Sequence, residues 1–180
     1  MKLDIKLVSE VGVLYCPDSA VATVAVYWGK EYEMIFSQMW SFFYNDKDAI
    51  KVGERISLGP TTVENLGDFF YGIHIDDVKF EKPSDALEFI RKRLNGGSPI
   101  SSYVHKCFLP VHKDAFQDVD ILYILYIGFD KNGLYYYDIS NGITEIQYIS
   151  NESFSCSFRR IDTIIRVFSD RNEDKLLDKK

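Results

Sequence analysis

The sequence predicts an α+β fold. Helical periodicity dominates the first half of the 180-residue chain, and runs rich in Tyr, Ile and Val dominate the second half. A tight turn, Asp130-Lys131-Asn132-Gly133, joins two of those runs as an antiparallel hairpin. At this length one domain with one sizeable core is expected, spanning residues 1–170 and followed by a charged tail over 171–180.

The elements follow in chain order. "KLDIKLV" alternates with period two and predicts a short strand. The Ala- and Val-rich run from Pro17 to Gly29 is long for a strand and predicts a helix. Pro17 suits the first helical position because its missing N–H would be unpaired there, which leaves Cys16 as the N-cap. Tyr32, Ile35, Met39 and Phe42 recur at helical steps and predict a second, buried helix. "ERISLG" is a candidate strand, and "TTVENLGDFFYG" a short helix capped by Thr61 or Thr62. "SDALEFIRKRLNGG" is the clearest helix: Ser84 can cap it, Asp85 suits its positive end, Arg91, Lys92 and Arg93 suit its negative end, and Gly96 or Gly97 can stop it. "ISSYVHKCF", "DILYILYIGF" and "GLYYYDI" are strands, with glycine at Gly133 supplying a positive φ in the turn. "TIIRVF" adds a last strand. Trp28, Trp40, Phe42 and Phe43 are expected to be core aromatics.

Composition excludes several classes. Apolar residues make up 46% and aromatics 15%, enough for a packed core rather than disorder. A formal charge of −6 disfavours nucleic-acid and anionic-membrane binding. The longest apolar run, Ile121 to Phe129, is far shorter than a membrane span, and "MKLDIKLVSE" has no signal-peptide core, so a cytoplasmic protein is expected. Cys16, Cys107 and Cys156 are an odd count that fits a reducing compartment. The chain has no Cys-x-x-Cys, no His pair at i, i+4 and no glycine-rich phosphate loop, so neither a metal nor a cofactor is expected. No oligomeric state is specified.

The order of elements carries a resemblance. A cysteine opens a helix that closes thirteen residues later at Gly29 within "VYWG", and a hairpin follows whose second strand carries Asp138. This resembles the papain-like fold, in particular the bacteriocin-processing peptidases and the amino-terminal domain of butirosin-biosynthesis protein H. "YEMIFSQMWSFFY" is similar to the aromatic segment of the latter, "SPISSYVHKCFLPVH" to its extended segment, "LYILYIGFD" to its histidine strand, and "YYYDIS" to the strand of its orienting acid. The likeness runs over 14–140.

The resemblance implies a degenerate catalytic set. It keeps the nucleophile as Cys16 and the orienting acid as Asp138. Counting six residues back from Gly128 puts Leu122 in the histidine's place, and counting six back from Cys16 puts Glu10 in the place of the oxyanion-hole glutamine. Leucine cannot accept a proton, and a carboxylate offers no donor where negative charge develops. An unactivated thiol is only roughly 3% ionised at neutral pH. Cys16 is therefore expected to be a small buried residue or a sluggish thiol, and Asp138 a strand-end acid. Among substitute bases His112, in "LPVHKDAF", could reach Cys16; His74 and His105 rank below it. The expected function is non-catalytic: a binding or accessory domain in carrier-protein-based natural-product biosynthesis, as the resemblance implies. The alternative is an active cysteine acyltransferase or amide-forming enzyme using Cys16 with His112 or a partner-supplied base. An acyl- or peptidyl-carrier protein, or its cargo, is the implied partner, and Arg91, Lys92 and Arg93 form the basic segment that would meet it. An oligomeric structural protein with an inherited fold is a third reading.

Overall fold

The computed structural model describes residues 1–8, 16–30, 72–109, 121–139, 143–160 and 164–170. Its helices are α1 (Cys16–Tyr27), α2 (Pro83–Asn95) and α3 (Asn151–Arg160). Its strands are β1 (Ile73–Lys79), β2 (Ile100–His105), β3 (Ile121–Phe129), β4 (Gly133–Asp138), β5 (Ile143–Ser150) and β6 (Ile164–Asp170). All six strands join one antiparallel sheet in the order β1-β6-β2-β3-β4-β5, which confirms the α+β class. The expected helix from Tyr32 to Phe42, with Trp40 and Phe43, the segments "ERISLG" and "TTVENLGDFFYG", and the tail lie outside the described residues. So do Glu10 and His112.

Alternation along each strand sends side chains to two faces, and each face carries its own core. Tyr123, Leu125 and Ile127 of β3 pack with Ile73, Ile75, Tyr137, Ile139, Phe168 and the α1 residues Ala20, Val21, Val24 and Ala25. Leu122, Ile124 and Tyr126 pack with Ala86, Leu87, Ile90 and Leu94 of α2 and with Phe154 and Phe158 of α3. The sheet is thus sandwiched, with α1 on one side and α2 and α3 on the other.

α1 is buried all round between Ala20 and Ala25, which is why it shows so little amphipathicity. The polar member of that run, Thr23, is satisfied: its hydroxyl donates to the Ser19 carbonyl at 2.7 Å and accepts the Val8 N–H at 3.1 Å. Gly29 ends the helix at φ 79°, a conformation that costs glycine little. Cys16 is the first residue of α1 rather than its N-cap. Trp28 packs half-buried against this core, as expected.

Other local expectations need correction. The amino-terminal segment makes only one isolated antiparallel bridge, Lys2 to Gly128: Met1 and Leu3 bond to Phe129 and Ile127 at the end of β3, and the chain beyond them adds no further strand pairing among the described residues. A Cβ on Gly128 would lie 2.5 Å from the Met1 carbonyl oxygen and 2.8 Å from Lys2 Cα, so glycine there makes room for the amino-terminal chain bonded beside it. α2 starts at Pro83, one residue before the expected cap, and the Ser84 hydroxyl donates to Asp85 Oδ1 at 3.0 Å instead of capping. In the β3–β4 turn, Asp130 Oδ1 accepts the N–H groups of Asn132 at 2.7 Å and Gly133 at 2.9 Å. Those bonds, Asn132 first, hold the Asp130 carboxyl below the usual range. Gly133 does not have the positive φ expected of it. It is required instead because a Cβ would collide with the Ile149 carbonyl oxygen and the Tyr148 ring. Strands β1 and β5 and helix α3 are additional to those expected, and α3 places a helix among the strands of the second half.

Candidate functional site

The candidate site lies on the face of the sheet that α1 covers. The Tyr27 hydroxyl, at the far end of α1, lies 3.9 Å from where a Cβ on Gly97 would stand, just before β2 begins at Ile100. Lys30, past the helix end, reaches Asp170 at 3.7 Å at the end of β6. Eleven helical rises carry the chain about 17 Å back from there to Cys16, which is about the length of β3 between Tyr126 and Ile121. Ile100 pairs with Tyr126 and His105 with Ile121, so it is the far end of α1 that lies toward the Ile100–Tyr126 end of the sheet.

A polar cluster occupies the α1 face around the middle of β2. Register places Tyr103 opposite Tyr123, Ser101 opposite Arg166, and Arg166 opposite Asp77. The Tyr123 and Ser101 hydroxyls are 2.5 Å apart and buried. Arg166 Nε donates to Asp77 Oδ1 at 3.1 Å, and the guanidinium lies 5.6 and 5.7 Å from the centroids of the Tyr103 and Tyr123 rings. The two rings tilt against one another at 4.9 Å. The Arg166 side chain is only 3% exposed, against 28% for Asp77, so water reaches one end of the pair. Burial pushes the Tyr123 phenol up to about 12, against the opposing influence of Arg166 and the Ser101 bond.

Leu122 does not stand on this face. It is buried in the core shared with α2 and α3. The count back from Gly128 crosses a register shift between Tyr126 and Gly128, and a bulge breaks the link between sequence spacing and face. The β3 residue on the α1 side next to Leu122 is Tyr123. Asp138 is the last residue of β4, is 1% exposed and pairs with Ile124 on the α2–α3 side. Burial, and then the Asp138 carboxylate, raise the Tyr136 phenol, which shares that side. The described strands therefore turn Leu122 and Asp138 away from α1. Cys16 opens α1 on the opposite side.

The basic segment is also divided. Arg91 donates to Asn151 Oδ1 at 2.8 Å and to the Asp130 carbonyl at 3.3 Å, and it lies over the Phe129 ring. Arg93 donates to the Phe168 carbonyl at 3.1 Å. Both tie α2 to the sheet, and of the three only Lys92 is exposed. His74, on edge strand β1, contacts Asp76 Oδ1 at 3.1 Å. His105 contacts Cys107, with Nδ1 and Sγ 2.9 Å apart. Sequence reading passed over this pair and the Arg166 cluster. The alternation of "SSYVH" against "ILYIL" could have signalled the shared face of Tyr103 and Tyr123, but nothing in the sequence pairs Arg166 with Asp77. Among the described residues no three His, Cys, Asp or Glu side chains assemble as a metal site would need, and no helix is long and apolar enough to cross a membrane.

Comparison with solved structures identifies the architecture. A C39-like peptidase from Bacillus anthracis superposes with a TM-score of 0.52 at 15% identity, covering 91% of this chain and 97% of the other. A double-glycine-motif protease from an AMS/PCAT transporter, solved in complex with the leader peptide, superposes with a TM-score of 0.52 at 16% identity, covering 93% and 92%. No family model matches the sequence, and no curated protein matches it. The fold is that of papain-like cysteine peptidases.

Proposed function

We propose that this chain, which carries the fold of C39-like peptidases, is a non-catalytic binding domain that holds an extended peptidyl or acyl cargo beside α1 without cleaving it. The supporting observation is Tyr123. A cysteine hydrolase needs a base that takes the thiol proton at neutral pH. A phenol held near 12 keeps its own proton and cannot serve. The neighbour solved with its leader peptide supports an extended peptide as the class of ligand. The resemblance to butirosin-biosynthesis protein H supports the finer reading, in which an acyl- or peptidyl-carrier protein delivers the cargo. Arg91 and Arg93 are engaged within the fold, so such a carrier would meet Lys92 rather than a three-residue patch.

Thiol labelling tests the placement of the base. We expect Tyr123→His to raise the iodoacetamide rate of Cys16 several-fold. Leu122→His should leave that rate unchanged and cost about 1–3 kcal/mol, because it buries a polar ring in an apolar core. The opposite ranking, in chains shown to be folded by circular dichroism, would move the histidine position back to Leu122.

Calorimetry tests the binding role, using a double-glycine leader peptide and a loaded carrier protein as separate titrants. We expect one of the two to bind, with no peptide cleavage or acyl loss during prolonged incubation. Failure of both to bind removes the binding role. Turnover that vanishes in Cys16→Ser establishes the cysteine acyltransferase or peptidase alternative instead.

A further inference from the structure

We propose that Cys107 and His105 form a separate nucleophilic thiol site, whose substrates are small disulfides. His105 is the last residue of β2, and Cys107 lies in the 3-10 turn Lys106–Phe108 that follows it. Cys107 Sγ is 2.9 Å from His105 Nδ1, and the Cys107 backbone N–H donates to the same nitrogen at 3.4 Å. A backbone N–H can only donate, so Nδ1 is the accepting nitrogen, the ring proton sits on Nε2, and the thiol hydrogen points at Nδ1. The thiol therefore rests against the lone pair that would remove its proton.

The surroundings hold this geometry. The His105 backbone N–H donates to Ser157 Oγ at 2.7 Å, which ties the end of β2 to α3. The Leu109 N–H closes the turn onto the Lys106 carbonyl at 2.9 Å. The Phe108 ring meets the imidazole edge-on at 5.7 Å. Cys107 is free and half-buried rather than sealed in the core. Cys156 in α3 is also free and half-buried, but has no such imidazole contact among the described residues. It is a built-in control.

The available groups select the chemistry. Acyl transfer creates an oxyanion and needs donors preorganised around it. Thiol–disulfide exchange keeps the developing charge on sulfur and needs a deprotonated thiol, a reachable disulfide and a protonated exit for the leaving thiolate. Cys107 supplies the thiol, His105 the base and the proton for the leaving thiolate, and the disulfide is the substrate. As Sγ attacks one sulfur of R–S–S–R, its proton passes to Nδ1. A new S–S bond forms while the reagent's own S–S bond breaks, and the departing RS⁻ takes the proton back from Nδ1. One thiol is consumed and one released, so no external oxidant is required, and Cys107 leaves as a mixed disulfide.

The test incubates the full chain with oxidised glutathione at pH 7 and follows each cysteine by site-resolved mass spectrometry. Cys107 should acquire the glutathionyl group about tenfold faster than Cys156, a modest share of what a positioned base contributes. His105→Gln should bring Cys107 down to the Cys156 rate, whereas Cys16→Ser should leave the ratio unchanged. Equal rates at Cys107 and Cys156 in the unaltered chain, or a Cys107 rate unaffected by His105→Gln, would overturn the proposal. If circular dichroism shows that His105→Gln is unfolded, the ratio in the unaltered chain decides alone.

Discussion

Phe154→Ala is expected to remove about 3–5 kcal/mol of folding stability. Phe154 is 1% exposed, meets the Tyr126 ring edge-on at 6.2 Å and packs against Phe158 at 6.0 Å. Its helix depends on it more than most would. α3 reads "NESFSCSFRR", and Ser153, Ser155 and Ser157 are indifferent helix formers. The helix is held by the Phe154–Phe158 pair on the sheet and by the Ser157 bond to β2. Truncation opens a cavity beneath Tyr126 and loosens the attachment together. Domains of this kind are stable by about 5–15 kcal/mol in total, so the loss is a large fraction. Urea unfolding should show a lower midpoint with an unchanged slope. Phe154→Leu, which keeps most of the volume, should lose far less. A loss below about 1 kcal/mol for Phe154→Ala would mean that α3 does not seal this core.

The second large effect is expected at Arg166. Removing one partner of a fully buried ion pair costs about 3–5 kcal/mol, because the other charge is stranded. Asp77 keeps 28% exposure, so water relieves part of that penalty and the expected loss for Arg166→Met is about 2–3 kcal/mol. The stacking over Tyr103 and Tyr123 disappears as well. If the stranded carboxylate is the main cost, Arg166→Met with Asp77→Asn should recover part of the loss, and a double-mutant cycle in thermal melts measures how much. No recovery would assign the cost to the lost ring contacts instead. Either result bears on the proposed binding face, because Arg166 braces the two tyrosines on the face that α1 covers.

The candidate site was only partly legible in the chain. Cys16 was correctly read at the start of a helix closed by Gly29, because apolar content, Pro17 and the terminal glycine all act within a few residues. Leu122 comes from counting back from Gly128, and Asp138 from the likeness of "YYYDIS" to an acid-bearing strand. Counting assumes an unbroken alternation, and the register shift between Tyr126 and Gly128 breaks it. Arg91 and Arg93 look like a surface patch in sequence, since three cations at a helix end are usually solvated. Their actual partners, Asn151 and the carbonyls of Asp130 and Phe168, lie in distant segments.

By itself the sequence determined what depends on neighbours along the chain. It set α2 between Ser84 and the Gly96–Gly97 turn, one residue short of its actual start at Pro83, with Asp85 at one end and Lys92 and Arg93 at the other. It set the β3–β4 hairpin at Asp130–Gly133, although glycine there is required for room rather than for a positive φ. It set the α+β class, through the change from helical to alternating periodicity. The tertiary structure alone decided which face of β3 meets α1, and so put Tyr123 there instead of Leu122. It alone paired Arg166 with Asp77, anchored the end of β2 on Ser157, and set Cys107 against His105. The physical reason is range. Helix ends and tight turns are governed by backbone groups a few residues apart, whereas the facing of a strand and the partner of a buried charge depend on register between segments that meet only in the folded chain.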